Sequence, residues 1–203
     1  MRSGVILAGG RSSRLGVDKS LLQIGKRTML EHVMENISDV IDEAIVVARD
    51  EEQGKAIISK IGAVDIAYDS IPGYGPVAGM LAGLKKARYE HVIALACDMP
   101  FINSNVVSHL FSLVEGYDAV VPRWPDSRIE PLHAVYDTEK MARACEKAIE
   151  GGKGNIVAPL STLRTYYISI EEIKKIDPEL RTFININTAN DLEVVRSLFQ
   201  KPV

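Results

Sequence analysis

At 203 residues the chain is the size of one large domain, or of two small ones at most. Hydrophobic residues make up 46% and charged residues 25%, a balance that supplies a sizeable core and excludes a disordered chain. The formal net charge of −3 gives no global field for nucleic acid or a membrane surface, so neither is an expected partner, and any polyanion must be met by cations gathered locally.

The first apolar run, Val5 to Ala8, reads as a short strand, too short for a signal peptide or a membrane span, so the expected compartment is the cytoplasm. Met29, Leu30, Val33, Met34 and Ile37 then fall on one helical face. Ala44 to Ala48 is a second strand, Ala56 to Ile61 the core of a second helix, and Ile66 to Tyr68 a third strand. Gly75-Pro76 opens a helix over Val77 to Ala87. Val92 to Ala96 is an entirely apolar strand, and Val106, Leu110 and Leu113 give the next helix its buried stripe, with Asn103 and Ser104 placed to cap it. Ala119 to Pro122 and Leu132 to Tyr136 read as strands around a polar loop, followed by a helix over Met141 to Ile149. Tyr166 to Ile170 and Phe183 to Ile186 are further short strands, and Leu192 to Phe199 is a closing helix.

Strands without polar alternation are buried on both faces, which indicates a parallel sheet covered by helices. The expectation is a single domain over 1–203, of three-layer α/β/α type, with a mostly parallel central sheet. Ligands of such sheets collect at the carboxyl ends of strands. Cys97 and Cys145 lie in apolar runs and read as buried thiols, with no metal-ligand spacing joining them to the four histidines.

The stretch Leu7-Ala8-Gly9-Gly10-Arg11-Ser12-Ser13-Arg14-Leu15-Gly16-Val17-Asp18-Lys19 supplies the local charge that the whole chain lacks. Three glycines let the backbone approach a ligand, and Arg11, Arg14 and Lys19 add cations. A Walker A loop is excluded because Asp18 precedes Lys19-Ser20, and a dinucleotide fingerprint because no glycine follows Gly9-Gly10 for five residues. Leu-Ala-Gly-Gly-x-x-x-Arg-x-Gly-x-x-Lys resembles the signature of nucleotidyltransferases, whose sheet is Rossmann-like and which activate phosphorylated acceptors with nucleoside triphosphates. The resemblance implies that Leu7, Ala8, Gly9 and Gly10 contact the nucleotide and that Arg14 and Lys19 hold the departing pyrophosphate.

Asp69 stands at a strand end, and Gly75-Pro76-Val77-Ala78-Gly79-Met80 follows it. This segment resembles that of the MobA-like molybdenum cofactor guanylyltransferases, which implies that Asp69, Gly75 and Gly79 border base and ribose. Asp98 ends a fully apolar strand, where a carboxylate is costly unless compensated, and a divalent cation would compensate it. Cys97-Asp98-Met99-Pro100 resembles that family's metal site, so the resemblance implies Mg²⁺ on Asp98.

Phe183-Ile184-Asn185-Ile186-Asn187-Thr188 leads to Asp191 three residues beyond Thr188, a capping-box-like start to the last helix. Asn185 and Asn187 alternate on one face of the expected strand, and amides can read the edge of a pterin. The segment is similar to the family's Asn-x-Asn-Thr-Pro-Glu-Asp-Leu, with Ala189 for proline and Asn190 for glutamate. Ala48-Arg49-Asp50 departs from the family at a turn that usually carries an asparagine. His133 has no evident partner and is assigned no role, while the polar loop Arg123 to Arg128 is placed to reach an acceptor phosphate.

The resemblance implies transfer of GMP from GTP to molybdopterin, with residues 1–100 binding the nucleotide and residues 101–203 the acceptor. Other proteins of molybdenum cofactor biosynthesis, or acceptor proteins, are further implied partners. Cytidylyl transfer to molybdopterin, guanylyl transfer to cobinamide phosphate and nucleotidyl transfer to a sugar phosphate use the same chemistry and stay open, as does a non-catalytic nucleotide-sensing subunit. Retention of Arg14, Lys19 and Asp98 together argues against the sensor, which does not need a metal and leaving-group set.

Overall fold

A computed structural model describes residues 1–9, 18–69, 71 and 73–200. The first apolar run forms strand β1 (Ser3–Leu7), and a short hairpin, β2 (Gln23–Ile24) and β3 (Arg27–Thr28), leads into helix α1 (Met29–Ile37). There follow β4 (Glu43–Ala48), α2 (Glu51–Ile61), β5 (Asp65–Tyr68), α3 (Pro76–Lys86) and β6 (His91–Ala96). Beyond them come α4 (Ser104–Ser112), β7 (Ala119–Arg123), β8 (His133–Asp137) and α5 (Thr138–Glu150), then β9 (Thr165–Ser169), α6 (Ile170–Ile173) and α7 (Ala189–Gln200).

Local chemistry sets the helix starts. Thr28 and Glu31 form a reciprocal capping box on α1, and the Asn103 side chain accepts from the N–H groups of Asn105 and Val106 to begin α4. Pro76 sits in the first turn of α3, where its missing N–H costs nothing. Asp191 accepts from the Asn187 and Thr188 N–H groups, while the Thr188 hydroxyl accepts from Asp191 N, the capping exchange that the sequence spacing indicated.

Among the described residues, seven strands form one sheet in the order β5-β4-β1-β6-β8-β7-β9. β1 is parallel to β4 and β6, β4 to β5, and β7 to β9; β8 runs against β6 and β7. The sheet is thus mostly parallel. Strand residues alternate between two apolar layers, which explains the missing polar alternation. Ile6, Val46, Ile93 and Leu95 pack with residues of α1, α2 and α4, whereas Val5, Ile45, Val47 and Val92 pack with residues of α3 and α5. The chain leaves β1 for β4 and β5 on one side, then returns to place β6 on the other. That reversal beside β1 opens a crevice at the carboxyl ends of these strands.

One expected strand is absent. Arg181–Phe183 form a 3-10 turn, and residues 184–187 pair with no strand. The alternation of Ile184 and Ile186 has another cause: Ile186 is buried with Ile24, Met29, Leu192 and Val195 in a small separate cluster, with Ile184 packed against it. This cluster seats α7 on the β2–β3 hairpin. Among the described residues, no helix is long and apolar enough to cross a membrane.

Candidate active site

The carboxyl ends of β1, β4 and β6 open onto a cavity of about 620 Å³, the size of a small-molecule pocket. Leu7, Gly9, Lys19, Asp69, Gly75, Gly79 and Asp98 all line it. Ala8 lies behind the wall, buried, its N–H donating to Val47 O at 2.9 Å. Gly10 and Arg14 lie outside the described residues, as does Arg11.

Lys19 is aimed by its neighbour. The Asp18 carboxylate accepts from the Ser20 N–H at 2.9 Å and from the Ser20 hydroxyl at 2.6 Å, closing a 3-10 turn over Lys19–Leu21. Lys19 Nζ then donates to Asp98 Oδ2 at 3.0 Å and to Asn187 Oδ1 at 2.7 Å. The lysine and aspartate side chains are only 16% and 19% exposed, so the ion pair is less screened by water than a surface pair would be. Asn187 reaches this point because Ile186 N donates to Asp98 O at 3.0 Å, drawing the segment before α7 across the end of β6. Three distant parts of the chain therefore meet at one side of the cavity.

Asn185 is not part of that junction. Its Oδ1 is buried and has no hydrogen-bond partner among the described residues. The two asparagines do not share a strand face, since no strand forms there; each is placed by the single Ile186–Asp98 backbone bond and the packing of Ile186.

Asp69 is held at the cavity edge by its own turn, Oδ1 accepting from Ile71 N at 3.0 Å. Gly75 has φ +105°, a left-handed value suited to glycine, and a Cβ on it would stand 2.5 Å from Gly154 O. A Cβ on Gly154 would in turn stand 2.0 Å from Tyr74 O. The loop after α5 is thus pressed against this wall, and the Tyr74 hydroxyl donates to Ile149 O at 2.7 Å beside it. Gly79 lies inside α3, where a Cβ would make ordinary contact with Leu7 and Val47.

Sequence reasoning missed several of these residues. Gly154 was signalled only by the Gly151-Gly152-Lys153-Gly154 cluster, which reads as an ordinary loop. Val47, Arg49, Pro76 and Leu132 also line the cavity. Gln53, 2% exposed, bonds to Ala8, Asp18 and Arg49 from the first turn of α2. Its signal was the Asp50-x-x-Gln53 spacing, a helix-start pattern that does not by itself point to a site.

Burial removes three further groups from the candidate nucleophiles. Burial pushes the Cys97 thiol well up and the Cys145 thiol up to about 12, so neither is a thiolate at neutral pH. His133 is fully buried, with Nε2 3.3 Å from Thr182 Oγ1, and burial lowers its pKa to about 3. Its partner is thus Thr182, remote in sequence. In the polar loop, Arg128 pairs with Asp126 at 2.7 Å and stacks over Trp124, and Arg123 lies over Tyr167.

Comparison with known proteins identifies the family and the fold. Residues 4–163 match the family described as the MobA-like NTP transferase domain. A probable molybdenum cofactor guanylyltransferase of Methanosarcina mazei is 42% identical over 95% of this chain and 88% of its own length. Its counterpart from Methanosarcina acetivorans is 41% identical with the same coverage. The crystal structure of molybdopterin-guanine dinucleotide biosynthesis protein A from Archaeoglobus fulgidus is 32% identical, superposes with a TM-score of 0.85, and covers 98% of this chain and 100% of that one.

Proposed function

The chain belongs to the family of MobA-like NTP transferase domains, and from that premise we propose that it is a molybdenum cofactor guanylyltransferase, joining GMP from GTP to the phosphate of molybdopterin and releasing pyrophosphate. The observation that carries this reading is the junction of Lys19, Asp98 and Asn187. A cation and a carboxylate from the first hundred residues meet an amide from the second hundred at the rim of one cavity. In this reading residues 1–100 hold the nucleotide, residues 101–203 hold the acceptor, and the whole works as one domain in the cytoplasm.

The acceptor phosphate is its own nucleophile, because the second pKa of a phosphate monoester lies near ~6. One of its oxygens forms a bond to the α-phosphorus of GTP, and the bond from that phosphorus to the β-bridging oxygen breaks, its electron pair leaving with pyrophosphate. The protein supplies position and charge. Lys19, together with Arg14, neutralises the β- and γ-phosphates. Gly9, Gly75 and Gly79 let backbone come close to the nucleotide, and Asp69 borders the ribose. Asn185 and Asn187 face the pterin.

The donor set would suit Mg²⁺. The described residues contain no group of three or more histidines, cysteines or carboxylates that could hold a metal. Asp98 and Asp69 both line the cavity, and Asp98 stands beside Lys19 at its rim, which suits a cation that takes one or two carboxylates and completes its shell with phosphate oxygens and water. When bound, it would neutralise charge on the phosphates.

The test is pyrophosphate release from GTP, ATP, CTP and UTP, each offered molybdopterin, cobinamide phosphate or a sugar phosphate. Release with GTP and molybdopterin supports the reading, and release confined to another pair replaces it. The finished cofactor then passes to other proteins of cofactor assembly or to acceptor enzymes.

A further inference from the structure

We infer that Gln53 is a positioning residue that clasps both ends of the glycine-rich loop, fixing where the chain leaves β1 and where it returns to present Lys19. The inference rests on the reading that this loop binds a nucleoside triphosphate.

Four contacts carry it. Gln53 Nε2 donates to Ala8 O at 2.9 Å and to Asp18 Oδ2 at 2.6 Å. Gln53 Oε1 accepts from Arg49 N at 2.7 Å, and Gln53 N donates to Asp50 Oδ1 at 2.8 Å. The partners fix the amide's orientation. Ala8 O and the Asp18 carboxylate only accept and Arg49 N only donates, so nitrogen must face the loop ends and oxygen the turn after β4. A glutamate at this position would lack both donors, and a leucine would remove a partner from the Ala8 carbonyl, from one oxygen of the Asp18 carboxylate and from the Arg49 N–H.

The contacts are also placed where they matter. Ala8 and Asp18 are the residues on either side of the glycine-rich stretch, and joining ends ten positions apart costs chain entropy that a preformed helix can offset. Asp18 receives Gln53 on Oδ2 and closes the 3-10 turn of Lys19 with Oδ1. Lys19 then reaches Asp98. Hydrogen bonds joined through the Asp18–Lys19 backbone thus run from α2 through the loop exit to the rim of the cavity. Helix capping does not require this side chain, because Asp50 already caps α2.

The experiment combines titration calorimetry with amide hydrogen exchange on the whole protein. Gln53→Glu places a carboxylate against that of Asp18, and the double variant Gln53→Glu/Asp18→Asn restores a donor–acceptor pair there. GTP affinity is expected to fall by at least about ten-fold in the single variant and to recover most of that in the double, with GMP affinity falling less. In nucleotide-free protein, Gln53→Leu should lose exchange protection at Arg49 N and Ser20 N.

A merely structural residue would lower the thermal midpoint and leave the affinities of the folded fraction unchanged. That result, or unaltered protection at both amides, overturns the clasp. Failure of the unaltered protein to bind GTP would instead overturn the reading of the loop, and the exchange result would still decide the clasp.

Discussion

Lys19 Nζ lies 3.0 Å from Asp98 Oδ2, joining residues 79 positions apart at the rim of the cavity. The pair explains how a carboxylate can end an apolar strand: its charge is compensated before any ligand arrives. In the proposed reading, a triphosphate would offer Lys19 new oxygens, and Asp98 would then be free to hold a divalent cation.

Lys19→Ala is therefore expected to weaken GTP binding more than GMP binding, since only GTP carries the β- and γ-phosphates. Titration calorimetry with both nucleotides reads the difference. Equal losses would put Lys19 elsewhere in the reaction.

Asp98→Asn keeps the shape but removes the charge that a metal needs. Turnover should drop by an amount equivalent to several kcal/mol of transition-state stabilisation, with the circular dichroism spectrum unchanged. A folded variant with near-normal turnover would refute the assignment.

Asn185 has a buried oxygen without a partner, which a bound acceptor could supply. Asn185→Ala should weaken molybdopterin binding by ~0.5–3 kcal/mol while GTP affinity holds. If only the thermal midpoint falls and both affinities survive, Asn185 has a structural role alone. Asn187→Ala should disturb both ligands, because Asn187 also holds Lys19.

Gly154→Ala would set a Cβ 2.0 Å from Tyr74 O, so the wall carrying Gly75 must shift. The expected cost is about 1–3 kcal/mol of stability, with weaker nucleotide binding. Urea denaturation measures the first, and an unchanged midpoint would show that the loop after α5 does not brace the cavity.

His133 contributes to the acid limb of stability. Burial lowers its folded pKa from the ordinary 6.5 to about 3, so the neutral ring is favoured in the fold. The sign follows by linkage: stability is full above 6.5 and declines as pH falls from 6.5 towards 3, because the unfolded chain takes up the proton first. His133→Leu lacks that decline. The difference in thermal midpoint between the two proteins should therefore move in the variant's favour from pH 7 to pH 4, and a constant difference would contradict the assignment.

Much of this was legible in the sequence because the signals were local. Apolar runs such as Val92 to Ala96 define buried strands, and Asn103 or Thr188 with Asp191 define helix starts within one turn. Lys19, Asp69 and Asp98 stood out as polar residues at strand ends or in a glycine-rich loop. What escaped was long-range. Ile184 and Ile186 alternate like a strand, yet they pack in a cluster with α7, and no short-range pattern separates the two cases. Gln53 and Gly154 are ordinary residues in ordinary elements until the fold brings Ala8 and Asp18, or Tyr74, against them. The union of Lys19 with Asn187 likewise depends on the backbone bond from Ile186 to Asp98.

The most direct test of the central claim follows the α-phosphorus. The protein is incubated with molybdopterin, Mg²⁺ and GTP labelled at either the α- or the γ-phosphate, and the pterin product is separated from nucleotide and pyrophosphate. The α-label should appear in the pterin product in step with pyrophosphate, and all γ-label should leave as pyrophosphate. Label reaching the pterin from the γ-position, or α-label remaining with free nucleotide while molybdopterin is saturating, would contradict the claim.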